Sequence, residues 1–100
     1  MPATLIRNKV AGFRGSAKLY RVEPPVAYSV YTGGGLVESK TDHVIVSAVP
    51  AAFDTGESET YIFPADPSGE ILNWGELEGS FRGDMDHDRA LKGAGYEVIS

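Results

Sequence analysis

The order of local signals along this 100-residue chain predicts an α+β fold: a small, mostly antiparallel sheet of about five strands with one C-terminal helix packed on one face, preceded by a basic N-terminal arm. Three observations carry that prediction. The run His43-Val44-Ile45-Val46-Ser47-Ala48-Val49 is rich in β-branched residues and bounded by Pro50, as a central strand with two apolar faces would be. His87, Ala90, Leu91 and Ala94 recur at i, i+3, i+4 and i+7, the stripe of a helix that buries one side. Residues 1–22 hold five basic residues, Arg7, Lys9, Arg14, Lys18 and Arg21, and no acid, whereas residues 23–100 hold four basic residues against 14 acids.

Taken in order, residues 1–15 read as the arm and residues 16–100 as one α+β domain. Leu5, Ile6, Val10 and Phe13 are mixed with Gly12 and Gly15 at poor periodicity, which suits a segment ordered by what it touches. Lys18 to Val22 alternates well enough for a first strand, with Leu19 and Arg21 on one face and Tyr20 and Val22 on the other. Pro24-Pro25 is expected to end it. Ala27 to Tyr31 makes a second strand, followed by a turn or loop at Gly33-Gly34-Gly35. That triplet is no dinucleotide fingerprint, since Glu38 stands where the third glycine belongs and no strand-to-helix context surrounds it.

Asp42 to Val49 is the central strand. A polar turn from Asp54 to Glu59 joins it to Thr60-Tyr61-Ile62-Phe63, stopped by Pro64, in a hairpin. Asp66-Pro67-Ser68-Gly69 has proline and glycine where a β-turn wants them, and Glu70-Ile71-Leu72 continues as a short strand leading to Trp74. Asp84 or Asp86 can cap the helix, acids in its first turn and Lys92 near its end complement the dipole, and Gly95 is placed to terminate it in a left-handed conformation. Tyr96 to Ile99 returns to the sheet.

Composition excludes several classes. No apolar run approaches the roughly 20 residues of a spanning helix, and the charged opening lacks the apolar core of a secretion signal. Without cysteine there is neither a disulfide framework nor a thiolate zinc site, which fits a virion or the host cytoplasm.

Candidate chemistry is sparse. Asp54-Thr55-Gly56 is the triplet of aspartic proteases, but Glu57 puts a charge beside the dyad those enzymes need, and a turn containing Asp and Gly explains it. Asp84, Asp86 and Asp88 are weak candidates for a divalent metal site. An EF-hand loop from Asp84 would require glycine where Arg89 stands and glutamate where Gly95 stands, and helix capping accounts for the same acids. His43 and His87 lack a neighbouring nucleophile with the support catalysis needs, so no catalytic residue and no cofactor is assigned. The interface candidates are Arg7, Lys9, Phe13 and Arg14 on the arm, with Trp74 beside Arg82 an aromatic anchor where exposed; for Trp74 the commoner reading is packing in the core with Tyr61, Phe81 and Tyr96. A basic arm can meet phosphates or an acidic protein surface, including that of another copy. The acidic body and the lack of interleaved aromatics disfavour nucleic acid.

The pattern Leu19-Tyr20-Arg21-Val22-Glu23-Pro24-Pro25, then Thr60 to Asp66, Gly69, Trp74-Gly75-Glu76-Leu77, Gly79-Ser80-Phe81-Arg82-Gly83, His87, Ala90-Leu91 and Gly95-Tyr96-Glu97 resembles a group of small uncharacterised proteins of actinobacteriophages and their actinobacterial hosts. The resemblance spans most of residues 19–99 and implies provenance, with no functional residue to transfer. The expected function is therefore a non-enzymatic protein-protein interaction module of a phage, a virion-associated accessory or decoration (minor capsid) subunit whose basic arm docks on a neighbouring chain. The alternatives are a host-directed regulator that binds and inhibits a bacterial protein, and a small metal-dependent enzyme centred on the acidic knot at 84–88.

Overall fold

A computed structural model describes residues 1–10, 12, 15–49, 58–73, 77, 79–82 and 85–99. Its elements are β1 (Pro2–Arg7), β2 (Ser16–Thr32), β3 (Gly35–Val49), β4 (Glu59–Ala65), the two-residue β5 (Phe81–Arg82), α1 (His87–Gly93) and β6 (Glu97–Ile99). They form a single mixed sheet in the order β5-β4-β3-β2-β1-β6, antiparallel throughout except where β6 lies parallel to β1. The α+β architecture matches the sequence prediction, with β1 and β5 as strands that the sequence reading did not include.

Burial on β3 explains the layering. Val44, Ile45 and Val46 are all buried, and because successive side chains of a strand point to opposite faces, both faces of the sheet must be covered. On one side Ala3, Tyr20, Val22, Val44, Val46 and Ile62 pack under Ala90 and Leu91 of α1 and under Tyr96. On the other, Ala17, Leu19, Ile45 and Ala65 are capped by Val10 and Ile71. The Asp66 turn supports that second cover. Asp66 Oδ1 accepts from the Ser68 hydroxyl at 2.6 Å and from the Ser68 and Glu70 amides at 2.9 and 3.0 Å, and Arg7 donates to the Ser68 carbonyl at 3.3 Å.

The helix follows its sequence signals. Asp86 is the N-cap, its carboxylate accepting from Arg89 N–H at 3.1 Å. Ala90 and Leu91 are the buried residues of the stripe. At the far end Tyr96 N–H reaches Leu91 C=O at 2.9 Å and Gly95 N–H reaches Lys92 C=O at 3.0 Å, the paired bonds of a Schellman motif, with Gly95 at φ +95.

Several expectations are corrected. Residues 1–15 do not form a basic arm: Pro2–Arg7 is a strand of the sheet, with Ala3 buried opposite Val22 and Leu5 opposite Tyr20, and Val10 is buried on the other face. Apolar contact on both sides of the sheet holds Ala3, Leu5 and Val10, so Arg7 and Lys9 belong to the body. Pro24-Pro25 does not end β2, which runs on after a register irregularity between Arg21 and Val26 and absorbs the separate strand expected at 27–31. β3 begins at Gly35 instead of Asp42, and β4 passes through Pro64 to Ala65. Finally, Glu70-Ile71-Leu72 supplies only an isolated bridge between Ile71 and Ala65. Most of the turn read at 54–59 lies outside the described residues.

Two substitutions test the packing of α1 on the sheet. Leu91→Ala removes a fully buried side chain and is expected to cost about 2–5 kcal/mol in urea unfolding. Gly79 holds φ +103, and a Cβ there would lie 2.4 Å from the Ala90 carbonyl oxygen. Gly79→Ala should therefore destabilise strongly, whereas Gly33→Ala, with nothing within 4 Å, should stay within about 0.5 kcal/mol of the parent.

Candidate functional site

The strand pair β2–β3 outlasts its neighbours. β1 pairs with β2 only as far as Val22, and β4 reaches β3 only from His43 onward. Beyond those points, among the described residues, Val26–Thr32 and Gly35–Thr41 pair only with each other, as a two-stranded ribbon that turns at Gly33-Gly34. Residues 24–37 carry no charge, and Leu36 and Val37 are 63% and 47% exposed. An uncharged ribbon with large apolar side chains in solvent is the most conspicuous surface feature among the described residues.

The root of the ribbon is fixed from both sides. Tyr96, buried at the end of α1, donates its hydroxyl to the Pro24 carbonyl at 2.7 Å, and that burial raises its pKa. Val26 and Ala27 border a cleft of about 290 Å³ with Leu77, Ala94 and Tyr96. Asn73 donates its amide to the Ser29 carbonyl. Where the ribbon meets β4, Thr41 donates its hydroxyl to the Ala65 carbonyl at 2.7 Å.

Next to this junction sits a polar cluster. His43 Nδ1 is 2.7 Å from Asp42 Oδ1, while Arg21 approaches Asp42 at 3.9 Å and Glu23 at 3.7 Å. The hydrogen bond from His43 is the main reason the Asp42 carboxyl is held below its ordinary pKa. The pair makes a structural hydrogen bond within β3, at the point where β4 begins to pair.

The remaining sequence candidates are dispersed. Arg7 ends β1 on the Ser68 carbonyl, and Lys9 is exposed. Phe13, Arg14, Trp74 and Asp84 lie outside the described residues, and of Arg82 the backbone alone is placed, opposite Glu59. Asp86 is committed to capping and Asp88 is exposed in the first turn of α1. Among the described residues no three or more His, Cys, Asp or Glu are grouped to hold a metal ion. His87 bonds the Ser16 carbonyl at 2.9 Å through Nε2 rather than a neighbouring acid, which ties the helix start to the start of β2.

The hydroxyls of Thr60 and Ser80 are likewise engaged in structure. Thr60 accepts from Asp86 N–H at 3.0 Å. Ser80 accepts from Ile62 N–H and donates to the Leu77 carbonyl, both at 2.9 Å. Tyr20 is pushed up to about 12 by burial and, second, by the negative charge of Asp88. An open cleft of about 470 Å³ lies along Met1, Asp88, Lys92 and Tyr96 to Val98. Its walls bring no nucleophile and base together.

Comparison with known proteins returns no match to any family model, curated protein or solved structure. No helix among the described residues is long and apolar enough to cross a membrane. Sequence reasoning placed the interface candidates on the first fifteen residues and at Trp74 and Arg82, and read the ribbon only as a short strand and a glycine turn, without its length. The available signal was Gly33-Gly34 flanked by Tyr28, Val30 and Val37 at alternate positions, a hairpin pattern.

The acid side of the stability profile follows from two carboxylates. Asp42 is held down chiefly by His43, and Asp66 chiefly by the Ser68 hydroxyl and then by the Glu70 amide, both from a reference of 3.8. A depressed folded-state pKa contributes stability above the unfolded value that is lost as pH falls through the folded one. Stability from these groups should therefore hold above about pH 5 and decline through and below 3.8. Asp66→Asn keeps the acceptor but removes the charge, so urea titrations at several pH values should show lower stability near neutrality and a shallower acid decline. A profile unchanged by the substitution would refute the assignment.

Proposed function

We propose that this chain is a non-enzymatic interaction protein of a phage, an accessory or decoration subunit of the particle, that docks on a neighbouring protein through its β2–β3 ribbon. The observation carrying this reading is the ribbon itself: strand pairing that continues past every neighbour, a root braced by Tyr96 and Asn73, and exposed Leu36 and Val37 in an uncharged stretch. A long exposed edge is a hazard unless something covers it, so a partner gives such an element its reason. Supporting the non-enzymatic side, the histidines and buried hydroxyls described above spend their hydrogen bonds on holding strands and helix together. The phage setting rests on the sequence resemblance.

Quantitative mass spectrometry of purified particles tests the reading. The expected result is the chain at many copies per virion, reduced when Leu36→Asp or Val37→Asp is introduced. Absence from particles, together with one bacterial protein co-purifying from infected cells, would transfer the ribbon to the role of a host-directed regulator.

A further inference from the structure

We infer that the outer edge of β3 between Leu36 and Lys40 accepts an extended segment of another protein as an added antiparallel strand, one that carries an acid, a base and an apolar residue at alternate positions. This deepens the reading of the ribbon as a docking element and rests on that reading alone, independently of any place in a particle.

The backbone defines the edge. Thr32 and Gly35 face each other across a two-residue turn, which makes them a pair that exchanges both backbone hydrogen bonds. Bonded and non-bonded pairs alternate along an antiparallel ladder. Val30 with Val37, Tyr28 with Ser39 and Val26 with Thr41 therefore also bond, while Leu36, Glu38 and Lys40 turn their N–H and C=O groups away from β2. β4 enters the neighbouring lane only at His43, opposite Ala65, and after the Asp66 turn the chain returns along the far side of β4. Among the described residues no strand therefore lies beside Leu36 to Lys40. An open edge of this kind offers main-chain bonds to an incoming strand, and the side chains along it decide which strand fits.

Charge and space then select the occupant. Leu36, Glu38 and Lys40 share one face of the strand. Glu38 and Lys40 are exposed, and neither has an ion-pair partner among the described residues. A second copy of this edge does not fit. About a twofold at Ser39, Glu38 of each copy would meet Lys40 of the other, but Gly35 would then lie opposite His43, where Ala65 already pairs. A twofold at Glu38 sets two carboxylates together, and one at Val37 puts Glu38 opposite Leu36 and Lys40 opposite Gly34, so that both charges go unmet. A short extended segment, such as a tail or loop, brings no flanking sheet to collide with β4. Running antiparallel, it places an acid opposite Lys40, a base opposite Glu38 and an apolar residue opposite the exposed Leu36, in that order along its own chain. Such a segment spans Leu36 to Lys40 and stops short of His43.

The probe is the peptide acetyl-Thr-Glu-Thr-Lys-Thr-Leu-Thr-amide, titrated into the isotope-labelled full-length chain and followed by amide chemical shifts and hydrogen exchange. The Leu36, Glu38 and Lys40 amides are expected to shift saturably, and to exchange about tenfold more slowly once the peptide stands at about ten times its dissociation constant. Those of Val37 and Ser39, already bonded to β2, should change less. The charge-exchanged peptide acetyl-Thr-Lys-Thr-Glu-Thr-Leu-Thr-amide should bind about tenfold or more weakly, and the double variant Glu38→Lys/Lys40→Glu should reverse that preference. The amide spectrum of the variant shows that its fold is kept.

No saturable shift at about 5 mM peptide overturns the strand addition. So do equal affinities for the two peptides, or a preference that the double variant leaves as it was. A chain that ignores the peptide yet is depleted from particles by Leu36→Asp would remove the strand addition and leave the particle reading standing, and charge-selective peptide binding by a chain absent from particles would do the reverse.

Discussion

Burial of adjacent residues on a single strand is the constraint from which the rest of the architecture follows. Val44, Ile45 and Val46 cannot all leave water unless both faces of the sheet are covered, and one short helix covers one face. The other face is closed by less regular means: Val10 from the segment after β1, Ile71 from the segment after β4, and the Asp66 turn braced by Arg7. That need explains why the first residues belong to the body, and why a polar turn receives so many hydrogen bonds from its own backbone.

The same strand has a second character beyond its buried half. From Gly35 to Thr41 it leaves the layered core and has β2 as its only strand partner among the described residues. β3 therefore divides along its length, with the apolar half organising the domain and the other half carrying an edge that meets no further strand among the described residues. The irregularity between Arg21 and Val26 marks the division on β2, and the Tyr96 hydroxyl on Pro24 anchors it to the end of the helix. Arg89 stacks over Phe81 at 4.3 Å and links α1 to β5 at the opposite side of the sheet, so the helix is pinned toward both flanks.

What the sequence revealed depended on whether local pattern and tertiary context agreed. The helix was legible because its stripe, its Asp86 cap and its Gly95 stop all describe the same seven residues. The β3–β4 pair was legible because β-branched residues crowd the buried half of β3 and alternate with aromatic ones at Thr60-Tyr61-Ile62-Phe63 in β4. β1 was hidden because Leu5-Ile6 breaks the alternation of a short segment and the surrounding basic residues drew attention to charge. Proline misled twice for one reason: the rule that it ends a strand assumes bonding on both sides. Past Val22, β2 has lost β1 as a neighbour, and Pro64 turns its polar groups to the outer side of β4, where only its carbonyl is used, by Leu72 N–H. The ribbon was legible only in part, as a short strand and a glycine turn, since nothing local says that the strand continues one begun before Pro24-Pro25.

The parallel seam between β1 and β6 bears on how the domain assembles. Ala3 pairs with Val98, nearly the whole chain apart, and β6 has no other strand beside it among the described residues. Contacts so distant in sequence close a large loop and form late, after local hairpins have already reduced the search. The β2–β3 ribbon, by contrast, closes across two residues. Loop closure thus costs least at the turn of the ribbon and most at the border where the first and last strands meet.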